Sequence, residues 1–170
     1  LLRSLNELIP TDQYDNDIYT DILYVNNSEL LGSSDSVPVY RARKKGWPVA
    51  AVLAPLAPDG YNGNIRLLVA VKLDGTLAGV RVVQHRETPG LGDQIEADRS
   101  DWILIFDGKS LDNPAPGLWK VKRDGGAFDQ FTGATITPRA VVKAVKKALL
   151  YYQAHGEKLF KLHPRESKPS

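Results

Sequence analysis

Cysteine and methionine are both absent from this chain of 170 residues, which leaves it without sulfur. Disulfides, thiolate zinc sites, iron–sulfur ligation and cysteine nucleophiles are excluded together, so any redox chemistry must come from a group the protein binds. Charge of one sign is absent too. The 22 Lys and Arg stand against 20 Asp and Glu, and a net of +2 supplies little of the field that draws a protein to DNA or RNA, so no nucleic-acid partner is expected. No run reaches the roughly 18 apolar residues that a membrane-spanning helix needs. The 3 histidines, His85, His155 and His163, lack metal-ligand spacing, and no Gly-x-Ser-x-Gly, His-Glu-x-x-His or Walker sequence occurs. A start at Leu1 without methionine reads as a processed or trimmed product, with an anchor or export signal expected ahead of it.

What remains is ordinary globular material: 42% hydrophobic residues in a length that suits one domain over 1–170. Leu1, Leu2, Leu5, Leu8 and Ile9 recur at helical spacing up to Pro10, as a short helix packing on the domain or as the membrane-proximal end (residues 1–10) of a longer segment. Residues 11–36 read as loop with a short strand at Ile22–Val25. Val37–Arg43 alternates, Trp47–Leu56 is nearly continuous in apolar residues, and Asn64–Leu73 alternates with Ile65, Leu67, Val69, Val71 and Leu73 on one face. Asp74-Gly75 predicts a two-residue hairpin turn into Thr76–His85. Asp98–Phe106 suits a helix capped by Ser100 or Asp101, or a strand within Trp102–Phe106; Leu118–Lys122 suits a short strand. The last helix starts with Thr137 as N-cap and Pro138 at its first position, and Gly156 can end it, leaving 157–170 as a flexible tail. The order predicts an α+β fold, an antiparallel β-sheet with flanking helices.

Three loops compete as sites. Arg86–Asp93 carries Gly90 and Gly92 around Leu91; it is either a tight loop using positive φ or a binding loop, and Ile95 in place of a third glycine removes a dinucleotide fingerprint. Phe128–Pro138 places Thr132, Gly133, Ala134 and Thr135 ahead of the final helix, as a capping loop or as a phosphate site favoured by the helix dipole, with Arg139 and Lys143 adding charge. Asp59–Gly63 lies between two strands, with Tyr61 as a ring partner or simply a turn residue, and reads in favour of the plain turn.

Asp129-Gln130-Phe131-Thr132-Gly133-Ala134-Thr135 resembles the Asp-x-x-Ser/Thr-Gly-Ala-Thr signature to whose final threonine bacterial flavin transferases attach FMN through its phosphate. Gly60-Tyr61-x-Gly63 and Glu87-Thr88-Pro89-Gly90-Leu91-Gly92 likewise resemble the FMN-binding domain family, and the three motifs with their strands span about 47–152. Within the family, 57–93 and 128–141 are most similar to G subunits of Rnf (Rsx) electron-transport complexes, with the C subunit of the sodium-translocating NADH:quinone reductase as the sister group. Thr132 stands where many members have serine, and Gln130 where glycine is frequent.

The resemblance implies an FMN-binding domain of the Rnf G or quinone-reductase C type, in an electron-transfer subunit of a membrane-bound, ion-translocating oxidoreductase. It implies FMN held by a phosphoester to Thr135, with Thr132, Gly133 and Ala134 around the attachment, Thr88 and Leu91 against the ring faces, Glu87 near the ring edge, and Gly90 and Gly92 shaping the loop. Beside this, Lys120 or Lys122 reads either as a further charge on the phosphate or as an ordinary strand-surface lysine. It also implies partners among the other membrane subunits, maturation by a flavin transferase, and a bacterial inner-membrane protein with one N-terminal anchor and this domain on the periplasmic side. A non-redox extracytoplasmic binding or assembly module is the alternative from a different class.

Overall fold

Strand β5 (Gly63–Lys72) is the axis of the sheet, and its sequence explains why. Ile65, Leu67, Val69 and Val71 are buried on one face while Leu68 and Ala70 are buried on the other, so the middle of this strand is covered from both sides. The computed structural model describes residues 1–161 and places six strands in one antiparallel sheet: β1 (Ile22–Val25), β2 (Val37–Lys44), β3 (Trp47–Leu53), β4 (Leu56–Gly60), β5 and β6 (Leu77–Gln84). One edge of β5 carries β6. The other is shared end to end by β3, which pairs with 69–72, and β4, which pairs with 63–66. The chain changes from one partner stretch to the next at Ala54-Pro55, where Pro55 has no N–H to give but its carbonyl accepts from Leu67.

Each face has its helix. Helix α3 (Ile136–Leu159) lays Val141, Val145, Ala148 and Leu149 on the face formed by Val39, Leu53, Leu67 and Val69. Helix α1 (Leu2–Leu8) sends Leu5 and Leu8, with Ile9 after it, onto Tyr40, Val52 and Leu68 on the opposite face. At about 1.5–3 kcal/mol for each large apolar side chain taken from water, these two layers are the main source of stability. The α+β class and the strand at Ile22–Val25 agree with the sequence reading. Among the described residues no helix is long and apolar enough to cross a membrane.

Several local readings need correction. The hairpin between β5 and β6 is longer than two residues: Gly75 N–H donates to the Lys72 carbonyl, Lys72 N–H donates to that of Thr76, and Gly75 takes φ +87°. This is a type I turn closed by a left-handed glycine. Asp98–Phe106 forms neither an α-helix nor a strand but a 3₁₀ turn at Trp102–Phe106, with the Ser100 hydroxyl accepting from Trp102 N–H, because Trp102, Ile103 and Phe106 all turn into the core. Leu118–Lys122 is not a strand. It lies between 3₁₀ turns at Pro116–Leu118 and Lys122–Asp124, and only a single bridge joins Val121 to Phe128. Gly126 lies against the Lys120 backbone, where a Cβ would fall 1.9 Å from the carbonyl oxygen, so this turn closes too tightly for a ladder to continue.

A short helix the sequence reading misses, α2 (Ser28–Leu31), is capped by Asn27, whose Oδ1 accepts from Leu30 N–H at 3.0 Å. Helix α3 also departs from expectation at both ends. It starts at Ile136, before Thr137, and runs through Gly156 to Leu159. Gly156 does not end the helix; a Cβ there would stand 3.0–3.2 Å from the Tyr152 ring, so the glycine serves close packing. The end is held by arginines, with Arg41 donating to the Leu159 carbonyl and Arg43 to that of Phe160. Residues 157–159 of the expected tail are therefore helical, and from 162 onward the tail lies outside the described residues.

Candidate functional site

Three segments converge at one end of the sheet: the turn between β4 and β5, the loop after β6, and the first turn of α3. Glu87 joins them. The residue is 4% exposed, and its carboxylate accepts from the backbone N–H of Tyr61 at 2.8 Å, the N–H of Asn62 at 2.8 Å and the hydroxyl of Thr137 at 2.6 Å. The expected edge contact is thus buried behind the surface, with both oxygens engaged by the protein itself. Thr137 correspondingly caps nothing; Thr135 occupies the N-cap position without a side-chain cap bond, and the Thr137 side chain turns inward. Gly92 packs where a Cβ would meet Thr137 Oγ1 at 2.8 Å and Glu87 Cβ at 2.9 Å, so its lack of a side chain lets the loop close on the helix.

The loop 88–93 is tied to itself. Leu91 N–H donates to the Thr88 carbonyl, Gly90 N–H donates to Asp93 Oδ1, and Gly90 takes φ +79°. The result holds Leu91 outward and 42% exposed, an apolar side chain with no core to fill. Opposite it, Phe131–Ala134 forms a tight turn with Thr132 and Gly133 at its corner and Gly133 at φ +78°, the conformation that a type II turn demands of its third residue. An aromatic cluster fixes the root of this turn: Phe131 packs edge-on to Trp102 with ring centroids 5.1 Å apart, and Trp102 Nε1–H donates to the Asp129 carbonyl.

Between the two walls lies a cavity of about 310 Å³, lined by Thr88, Leu91 and Gly92 on one side, Gly133 to Thr137 on the other, and Tyr61 at the rim. Tyr61 is 66% exposed, so the reading of Asp59–Gly63 as a plain turn missed a wall of this cavity. A second, more open hollow of about 620 Å³ is lined by Arg123, Gln130, Phe131, Thr132, Gly133, Thr135 and Ile136. Gly133, Thr135 and Ile136 border both. Thr132 therefore lies on the outer hollow, Ala134 on the inner one, and Gly133 and Thr135 on the boundary.

The electrostatics differ from the sequence expectation. Arg139 is committed to Asp124 by two bonds of 2.7 and 2.9 Å, Lys143 to Asp59 at 2.9 Å, and Lys122 to Asp129 at 2.7 Å. The Asp124 carboxyl is held below its ordinary range mainly by the hydrogen bond from Arg139. The cation beside Thr135 is Arg123, whose Nη1 lies 3.4 Å from Oγ1. Sequence reasoning missed it because a strand at 118–122 presents Lys120 and Lys122; the 3₁₀ turn at Lys122–Asp124 swings Arg123 to this side instead. Gln130, the departure from the usual glycine, accepts from Arg123 N–H through its side-chain oxygen.

A mostly apolar slot that shares Gly133, Thr135 and Ile136 with a hollow lined in part by Arg123 suits a planar, largely apolar ring on an anionic arm, and the slot falls within the roughly 300–1,000 Å³ of small-molecule sites. Residues 60–150 match the sequence profile of the FMN-binding domain. The chain is 52% identical over 160 residues to the G subunit of the ion-translocating oxidoreductase complex of Pseudoalteromonas atlantica, covering 94% of this chain and 74% of that protein. The corresponding protein of Pseudomonas aeruginosa is 53% identical over 165 residues, 97% of this chain and 76% of that one, and that of Shewanella oneidensis 49% over 160 residues, 94% and 76%. With a profile match that runs from the turn bearing Tyr61 through the cavity walls and into α3, and relatives at about half identity along nearly the whole length, this chain belongs to the FMN-binding domain family and, within it, to the G subunits of ion-translocating oxidoreductase complexes.

Proposed function

We propose that this chain is the flavin-carrying electron-transfer subunit of a membrane-bound, ion-translocating oxidoreductase, and that it holds FMN by a phosphoester on Thr135. The observation that carries the reading is the position of Thr135, which lines both the apolar slot and the outer hollow and whose hydroxyl meets the Arg123 guanidinium. The bond that forms joins Oγ1 to phosphorus, and relative to free FMN and the unmodified chain one water is lost.

FMN, when bound, supplies the one- and two-electron chemistry that a chain without sulfur lacks. The protein's part is position and field. Thr88 and Leu91 present one wall to a ring, Ala134 and Thr137 the other, and Tyr61 shields the rim. Thr135, as N-cap without a cap bond, leaves the first N–H groups of α3 without a side-chain acceptor, at the positive end of a helix of 24 residues, a setting that favours an anion on its own oxygen. The Glu87 carboxylate fixes the wall segments relative to one another.

The partners that follow are the other subunits of the complex and a separate flavin transferase. An N-terminal membrane anchor and a periplasmic placement at the bacterial inner membrane rest on the resemblance to the G subunits of Rnf complexes and their sister C subunits. The test is the visible spectrum and intact mass of chain co-expressed with the transferase. Flavin absorbance that survives denaturation, with a mass gain of FMN less water, is expected, and Thr135→Ala abolishes both; an alanine variant that keeps the added mass overturns the assignment.

A further inference from the structure

We infer that Arg123 is the side chain that grips the flavin phosphate at Thr135, an inference that rests on the phosphoester reading above. Three observations carry it. Arg123 Nη1 is 3.4 Å from Thr135 Oγ1, a long contact to a neutral hydroxyl, but a phosphorus attached to that oxygen stands one bond further on, and its unesterified oxygens offer the anionic acceptors a guanidinium prefers. Three nearby cations are spoken for, Arg139 by Asp124, Lys143 by Asp59 and Lys122 by Asp129, whereas no ion pair among the described residues includes Arg123, and Arg123 is the cation in contact with the Thr135 hydroxyl. The guanidinium also has a fixed root. Arg123 N–H donates to Gln130 Oε1, Lys122 N–H donates to the Phe128 carbonyl at 2.7 Å, and Gly125 closes the turn at φ +90°, so the turn bearing Arg123 is bolted to the segment that leads into Thr132–Thr135.

Arg123 is exposed, so its contribution is screened by salt, and that dependence separates an electrostatic grip from a structural role. The experiment follows intact mass over time during flavin transfer to wild type, Arg123→Gln, Arg123→Lys and, as a remote charge-loss control, Lys72→Gln, each at low and high ionic strength, with thermal melting to confirm folding. Arg123→Gln slows incorporation about tenfold at low salt and loses most of its salt dependence, the loss expected of one charge-assisted hydrogen bond. Arg123→Lys restores part of the rate, and Lys72→Gln matches wild type. Equal rates and equal salt slopes for wild type and Arg123→Gln overturn the inference while leaving the phosphoester intact. Should the wild-type chain take up no covalent flavin, the phosphoester reading fails by itself, and titration with FMN against riboflavin still decides Arg123: a preference for FMN that disappears in Arg123→Gln supports the grip, and an unchanged ratio overturns it.

Discussion

The hydroxyl of Thr137 donates to Oε1 of Glu87 at 2.6 Å, joining the first turn of α3 to a loop fifty positions earlier in the chain. Both residues are almost fully buried, so this contact is made out of water. Replacing Thr137 by Val keeps the shape and removes the donor, leaving a buried carboxylate with one acceptor position unanswered. The expected cost is about 1–3 kcal/mol in urea denaturation, with Thr137→Ser close to wild type. A valine variant as stable as the parent means that the contact does not bind the two elements together.

Gly92 depends on the same pair. A Cβ at this position meets Thr137 Oγ1 and Glu87 Cβ at under 3 Å, so Gly92→Ala must push the loop off the helix. Overpacking of this kind costs about 1–3 kcal/mol. Because pushing the loop off the helix already pulls Glu87 away from the Thr137 hydroxyl, the donor lost in Thr137→Val counts for less in the Gly92→Ala background, and the two changes combined lose less than the sum of the single ones. Strict additivity in the double-mutant cycle removes the argument for coupling.

These two residues mark what the sequence conveys and what it hides. The sheet was legible because the recurrence of Ile65, Leu67, Val69 and Val71 and the apolar run in Trp47–Leu53 are local patterns, and strands covered on both faces read as nearly continuous apolar runs. Thr135 was legible through the resemblance of its motif, and Leu91 through the glycines around it. The Thr137–Glu87 bond was not, since Thr137 before a proline carries the local signature of a cap, and only tertiary structure turns the side chain inward. Arg123 was hidden for the same reason, and Tyr61, though within a resembling motif, could not be told from a plain turn residue: which residue of a short turn faces a cavity depends on the exact turn. The end of α3 misled in the opposite sense, because a glycine that makes room for the Tyr152 ring one turn earlier looks, in sequence, like a glycine that ends a helix.

The far end of α3 yields a third prediction. Arg41 is fully buried, donates through Nη1 to the Leu159 carbonyl and through Nε to Asp21 Oδ1, and shares Asp21 with Arg43. Asp21→Ala strips the counter-charge from a buried guanidinium, which costs about 3–5 kcal/mol. Amide exchange in residues 156–159 should rise beyond that of the rest of the helix, since the arginines that cap these carbonyls lose their anchor. Uniform loss of protection along α3 would instead point to global unfolding alone.

Acid gives the fourth. Arg139 holds the Asp124 carboxyl below its ordinary value, chiefly by hydrogen bonding. A carboxylate with a depressed folded value stabilises the fold above its unfolded value, about 3.9, and that stabilisation is lost as pH falls through the folded value. Wild type therefore exceeds Asp124→Asn in melting temperature near neutrality, and the difference closes as the pH drops below about 4, sooner at high salt because the pair is exposed. A gap that persists undiminished in strong acid shows that the asparagine change acts through something other than charge. The location gives the measurement its point: Asp124 and Arg123 share one 3₁₀ turn, and the Asp124–Arg139 pair ties that turn to the helix that starts beside Thr135. Acid release of this tie frees the root of Arg123, so in the same pH range the salt dependence of flavin incorporation in wild type should fall toward that of Arg123→Gln, before any loss of helix signal.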